Sequence, residues 1–134
     1  MNYNKENENC ENYPMRKVVA YCRCASPVES HADIEYQQMM IRIFADSHNW
    51  EIVDRFVDEG YSGNSFKRPE FMRMAGMVES NPEWDAILVY KESCLSRDYK
   101  KYTCCEEILN KQGIELISVK RRRMQERFRA LNIE

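Results

Sequence analysis

Lys17-Val18-Val19-Ala20-Tyr21-Cys22-Arg23-Cys24 is a β-branched and apolar run of strand length. Pro27 follows it within three residues. Such a run, closed by a turn former, predicts a buried strand. Working outward, Ile34, Ile41, Phe44 and Ala45 recur at helical spacing. Asp33 is placed to cap that helix, and Asn49 to end it. Trp50 to Asp58 is a second strand-like run, and Glu59-Gly60-Tyr61-Ser62-Gly63-Asn64 is a loop by its turn formers. Pro69 suits the first turn of a helix whose apolar face is Phe71, Met74, Ala75 and Val78, and Asn81-Pro82 breaks it. Asp85 to Lys91 is nearly continuous in apolar residues, as a strand covered on both faces requires. Tyr102, Cys105, Ile108 and Leu109 give a third helix with Gly113 just past its end, and Ile114 to Val119 gives a fourth strand. The order β-α-β-α-β-α-β predicts an α/β fold: a mostly parallel sheet of about four to five strands with helices on both faces.

The 134 residues fit one domain, and 43% hydrophobic with 31% charged residues suits a chain that buries one core. No stretch has the apolar length of a membrane helix, and none has the pattern of a secretory signal peptide. The expectation is an intracellular, cytoplasmic chain with no membrane partner. Six cysteines without an export signal argue against a disulfide framework. No Cys-x-x-Cys pair with matching histidines exists, which argues against zinc. The cysteines are expected to be buried small hydrophobes.

The net charge of −2 conceals an uneven distribution. Residues 1 to 15 hold five Asn, three Glu and one Lys, and read as a disordered polar tail. Lys120 to Arg129 holds six basic residues against one Glu. By spacing alone, that run reads as a solvated helix face. Met124, Phe128 and Leu131 fall on one side of it, so residues 120–134 are expected to form a short amphipathic helix.

In open parallel sheets, ligands meet the loops at the carboxyl ends of the strands. Three polar clusters fall there: Arg23 to Ser26, Asp58 to Arg68, and Lys91 to Asp98. Arg23, Arg68, Lys91 and Arg97 would suit an anion site. They would equally suit ordinary polar loops, and their positions alone do not choose.

Four ordered motifs bear on that choice. Tyr21-Cys22-Arg23-Cys24-Ala25 resembles the Tyr-x-Arg-x-Ser strand of the serine recombinases, the resolvase and invertase family. Ile34-Glu35-Tyr36-Gln37 is similar to the family's Ile-x-x-Gln. Asp58-Glu59-Gly60-Tyr61-Ser62-Gly63 with Arg68-Pro69-Glu70-Phe71 is similar to its Asp-x-Gly-x-Ser-Gly and Arg-Pro-x-Phe signature. Lys91-Glu92-Ser93-Cys94-Leu95-Ser96-Arg97-Asp98 is similar to its Lys-x-Asp-Arg-Leu-Ser-Arg-Asp, and Gly113 to Ser118 resembles its last strand. The resemblance implies a resolvase-like catalytic domain over residues 16–119, with cleavage and rejoining of DNA without metal, nucleotide or other cofactor. It implies a homodimer or tetramer as the working assembly. It also implies phosphate-binding roles for Arg23, Arg68 and Arg97, support from Asp58 and Gln37, and a DNA-facing role for Lys91. Lys120, Arg121, Arg122 and Arg123 become DNA-contact candidates by the same resemblance.

The chain departs from that pattern at three places. Ala25 stands at the nucleophile position, and Ser93 and Cys94 stand where the family has aspartate and arginine. A methyl group cannot attack a phosphate, and a thiol does not supply an arginine's charge. Ser26 is a doubtful substitute: it lies one residue too far from Arg23 along the strand and precedes Pro27. The family's long helix and its separate DNA-binding domain are not present before Glu134, so DNA contact by this chain is expected to be weak or indirect. The leading expectation is a degenerate recombinase domain that binds DNA or an active recombinase partner. The alternatives are a working recombinase domain, altered at Ala25 or using Ser26, and a protein-interaction module without DNA contact.

Overall fold

The computed structural model describes residues 15–26, 28, 30–80 and 83–132. The tail expected over residues 1 to 15 lies outside that set except for Met15, as do Pro27 and the Asn81-Pro82 break. The chain runs β1 (Lys17–Cys24), α1 (Ser30–Ser47), β2 (Glu51–Glu59), α2 (Pro69–Met77), β3 (Ala86–Val89), α3 (Glu92–Leu95), α4 (Tyr99–Lys111), β4 (Glu115–Ser118) and α5 (Val119–Ala130).

Four parallel strands form one sheet in the order β2-β1-β3-β4. The alternating side chains of β1 divide the core. Val18, Ala20, Cys22 and Cys24 pack against Ile34, Ile41, Phe44 and Ala45 of α1. Val19 and Tyr21 point the other way, toward Met74 of α2, Leu95 of α3 and Tyr102 of α4. The expected α/β architecture with helices on both faces is therefore the one formed. Because β1 pairs with both β2 and β3, the chain reverses its direction of travel across the sheet between those pairings. Connections then leave the carboxyl ends of β1 and β3 to opposite sides, which opens a crevice there.

Some local expectations shift. α1 begins at Ser30, so Asp33 lies within its first turn instead of capping it, where its charge still complements the helix dipole. Asn49 ends that helix as expected: it adopts φ +58, a left-handed conformation asparagine tolerates, and Trp50 N donates back to Ala45 O at 2.9 Å. Gly113 closes α4 at φ +80. α3 is a one-turn helix inside what reads as loop, and periodicity over four residues cannot reveal it. Cys22, Cys24 and Cys94 are buried, but on α4 Cys104 is exposed and Cys105, which packs against the core, is half-buried. Met124 and Phe128 lie on α5 and Leu131 is its C-cap, and all three are exposed.

Candidate active site

Two arginines are built into the crevice from beneath. Arg68 precedes α2 and is 1% exposed. Its Nε donates to the Ser65 carbonyl at 2.8 Å, Nη1 donates to the Tyr21 hydroxyl at 2.8 Å, and Nη2 donates to the Leu95 carbonyl. The rings of Phe71, Phe66 and Tyr21 surround the guanidinium, with centroids 4.9, 5.3 and 5.6 Å away. Cation–π attraction of this kind offsets part of the desolvation of a buried cation.

The Tyr21 hydroxyl passes the connection on, donating to Asp58 Oδ2 at 2.8 Å. Burial pushes this hydroxyl well above the ordinary tyrosine range, with Arg68 pulling against it and Asp58 adding to the rise. The proton therefore stays on the phenol and available to the carboxylate. Asp58, at the end of β2, also accepts from Glu70 N at 3.0 Å and Phe71 N at 2.9 Å. These are free amides of the first turn of α2, whose own N-cap residue offers no side-chain bond. A carboxylate at the end of β2 thus caps the helix that follows it in the chain, across the intervening loop.

Arg23, near the end of β1, is 6% exposed. Gln37 brackets its backbone, accepting from Arg23 N at 3.2 Å and donating to Arg23 O at 2.9 Å. The guanidinium is committed on all three nitrogens: Nε to Cys94 O at 3.0 Å, Nη1 to Tyr61 O at 2.8 Å and Nη2 to Ser93 O at 2.6 Å. Burial lowers its proton affinity, and repulsion from Arg68 lowers it further. Two of these carbonyls, of Ser93 and Cys94, belong to α3, whose single turn leaves its C-terminal oxygens without helical partners. Arg23 and Arg68 together satisfy three successive ones and complement the negative end of that helix.

Above the arginines lies a cleft of about 750 Å³. Arg23, Cys24, Ala25, Ser26, Gln37, Lys91, Ser93, Cys94 and Arg97 all line it, together with Asp33. Ala25 and Ser26 are exposed at its rim. The Ser26 hydroxyl accepts from Val28 N at 3.4 Å. Lys91 and Arg97 are exposed cations whose side chains make no hydrogen bond or ion pair among the described residues. Burial raises the Cys94 thiol above its ordinary range, so it contributes no charge near neutral pH. Arg68 and Asp58 stand behind the cleft and reach it through Tyr21 and the α3 carbonyls.

The basic run forms α5, beyond the edge strand β4. Arg122 is paired with Glu115 at 2.7 Å, Arg121 donates to the Tyr99 hydroxyl at 3.2 Å, and Arg123 contacts Met40 Sδ at 3.9 Å. Lys120 is exposed, and its backbone N donates to Tyr90 O at 2.8 Å. Sequence reading missed Tyr21 as the link between Arg68 and Asp58, and Gly63 as the seat of Arg23. A Cβ at Gly63 would lie 2.7 Å from Arg23 Nη2. The Ser62-Gly63 signature carried that signal, but its partner lies 40 residues away.

The family described as "Resolvase, N terminal domain" matches residues 18–131. Among solved structures, the chain is similar to the N-terminal catalytic domain of TP901-1 integrase, with 28% identity and a TM-score of 0.72 over 78% of this chain and 79% of that one. It is similar to a resolvase family site-specific recombinase from Streptococcus pneumoniae, with 29% identity and a TM-score of 0.68 over 78% and 72% of the two chains. It is also similar to a serine recombinase from Sulfolobus solfataricus, with 25% identity and a TM-score of 0.66 over 78% and 69%. No curated protein sequence matches it. A parallel sheet in this order, its crossover crevice and the match across most of the chain agree: the protein belongs to the resolvase N-terminal domain family, with the serine recombinase catalytic-domain fold related to site-specific recombination.

Proposed function

We propose that this chain is a recombinase domain that no longer cuts DNA and acts by binding, through DNA or an active recombinase partner, in the cytoplasm. In this reading residues 16–119 are the catalytic-type domain, and 120–134 a basic segment that meets DNA weakly. One observation carries it. Ala25 offers a methyl at the nucleophile position, while the guanidinium nitrogens of Arg23 and Arg68 are occupied by carbonyls and the Tyr21 hydroxyl. A phosphate entering the cleft would meet the exposed Lys91 and Arg97, and from Arg23 it could draw only the two of five N–H donors that Cys94, Tyr61 and Ser93 leave. The arginine position at Cys94 holds an uncharged thiol, and loss of one electrostatic donor costs on the order of 10²–10³ in rate.

The test is incubation with supercoiled DNA carrying a recombination site of a related enzyme. No covalent protein–DNA adduct is expected from the chain as it stands, and none from Ala25→Ser alone. Ala25→Ser with Ser93→Asp and Cys94→Arg is expected to restore cleavage at a low rate. An adduct formed by the unaltered chain and lost on Ser26→Ala would establish Ser26 as a nucleophile and overturn the reading. Cleavage by Ala25→Ser alone would favour an otherwise working enzyme.

A groove of about 530 Å³ between α2 and α4 favours a second reading, a protein-interaction module. Phe66, Phe71, Met74, Ala75, Ile108 and Leu109 line it, and apolar concavities of this size suit protein contact. DNA binding that falls steeply with salt supports the first reading; no DNA binding with stable self-association supports the second.

A further inference from the structure

His48 stands where α1, β2 and α5 meet, and oxygen acceptors face both of its ring nitrogens. Nδ1 is 2.8 Å from the carbonyl oxygen of Phe44 in the last turn of α1, which also accepts from His48 N at 3.2 Å. Nε2 is 2.8 Å from Glu126 Oε2 on α5. Ser47 Oγ, 3.0 Å from Nδ1, donates its own proton to the same Phe44 carbonyl at 2.8 Å. The ring cannot turn to relieve this arrangement: Phe44 packs on it at 4.2 Å between centroids and Trp50 at 5.0 Å. A neutral imidazole has one N–H and serves one acceptor: with the proton on Nε2 it keeps only an uncharged bond to Glu126, and Nδ1 can then only accept, as from the Ser47 hydroxyl once that turns to it. The imidazolium serves both.

Among the described residues, the charged groups near the ring are Glu126 on α5 and, on the far side of Trp50, Arg16, whose guanidinium lies 4.6 Å from the Trp50 ring centroid. α1 otherwise presents the uncharged Phe44 and Ser47 to the ring.

The first turn of α5 is fastened independently. Ser118 caps it, Val119 is buried and Arg122 pairs with Glu115. Further along, most of the helix is exposed, and Glu126 ties its second half to His48, just past the end of α1. We propose that His48 is a proton-operated latch, holding the second half of α5 against α1 when charged and loosening it when neutral. Because α5 carries Lys120 to Arg123, Arg127 and Arg129, the latch sets how freely the basic face can swing. The proposal stands whether or not that face meets DNA.

The test is an NMR titration of the full chain between about pH 5 and pH 8, where histidine changes charge. The chain has two histidines, and exposed His31, paired with Glu35 at 3.1 Å, is an internal reference. Amides of residues 124–130 are expected to move with the midpoint of the His48 ring and not with that of His31. Hydrogen exchange in that half of α5, corrected for its intrinsic pH dependence, is expected to rise about three- to tenfold from low to high pH. Amides of the sheet should hold still. Glu126→Gln, at a partly exposed helix position, and His48→Gln should each abolish the response. Residues 124–130 that ignore the His48 midpoint, or a full response persisting in Glu126→Gln, would overturn the latch.

Discussion

Arg23 Nη2 lies 2.6 Å from the carbonyl oxygen of Ser93, tying the end of β1 to the one-turn helix after β3. The guanidinium has no room to retreat, because Cys94 and Tyr61 hold its other nitrogens. Gly63 packs directly on it. A Cβ there would meet Nη2 at 2.7 Å and Cζ at 3.0 Å. Gly63→Ala is therefore expected to destabilise the fold by about 1–3 kcal/mol. Gly76→Ala, on α2 with nothing within 4 Å of the added methyl, is expected to stabilise by about 0.5–1 kcal/mol. Urea denaturation with an unchanged slope measures both. Equal effects of the two substitutions would refute the seat assigned to Gly63.

Tyr21 relays between two buried groups of opposite charge. Tyr21→Phe strips the hydroxyl from Arg68 and Asp58 together and is expected to cost about 1–3 kcal/mol. Asp58→Ala should cost more, about 3–5 kcal/mol, since it also strands two amides at the start of α2. Exchange protection of α2 should fall in Asp58→Ala. A cost below about 1 kcal/mol would show that the carboxylate does not hold that helix.

Burial pushes the Cys22 thiol up to about 12 and raises the Cys24 and Cys94 thiols as well. The thiolate is the reactive species, so near pH 8 these three should alkylate slowly and mainly through opening of the fold. Among the described cysteines, Cys104 is exposed and should react first. Peptide mapping after timed alkylation is expected to show Cys104 modified at least about 100-fold faster than Cys22. Comparable rates would mean that β1 opens readily.

Glu115 sits between Arg16 at 3.0 Å and Arg122 at 2.7 Å. Burial works to raise its carboxyl, but bonding to Arg122 and Arg16 outweighs it and holds the group below the usual carboxylate range. A carboxyl depressed on folding favours the folded state above its unfolded value, about 4.3 for glutamate. That contribution is lost as pH falls through the lower folded value. Glu115→Gln should thus destabilise near neutral pH by about 0.2–1 kcal/mol, a small figure because the pair is partly exposed. The difference from the parent chain should vanish in strong acid. A cost that grows as the pH falls would contradict the pairing.

Much of the fold was legible because its signals are local. The runs at β1 and β3, Pro69 at the start of α2, Asn49 after α1 and Gly113 after α4 each report on their own few residues. The short α3 was not legible, since one turn has no period to detect. The exposure of Cys104 and Ile108 was not legible either, because helical spacing names an apolar face without saying how deeply a neighbour covers it.

The candidate site divides in the same way. The sequence by itself determined which residue types line the cleft, that Ala25, Ser93 and Cys94 depart from the family's pattern, and that three polar clusters follow the strands of a parallel sheet. Only the tertiary structure decided how the arginines are used. A sequence lists donors, but the acceptors here are backbone carbonyls of α3 and the loop after β2, which every residue type carries alike. Whether Arg23 and Arg68 face a ligand or clamp the chain therefore depends on which carbonyls folding brings within about 3 Å.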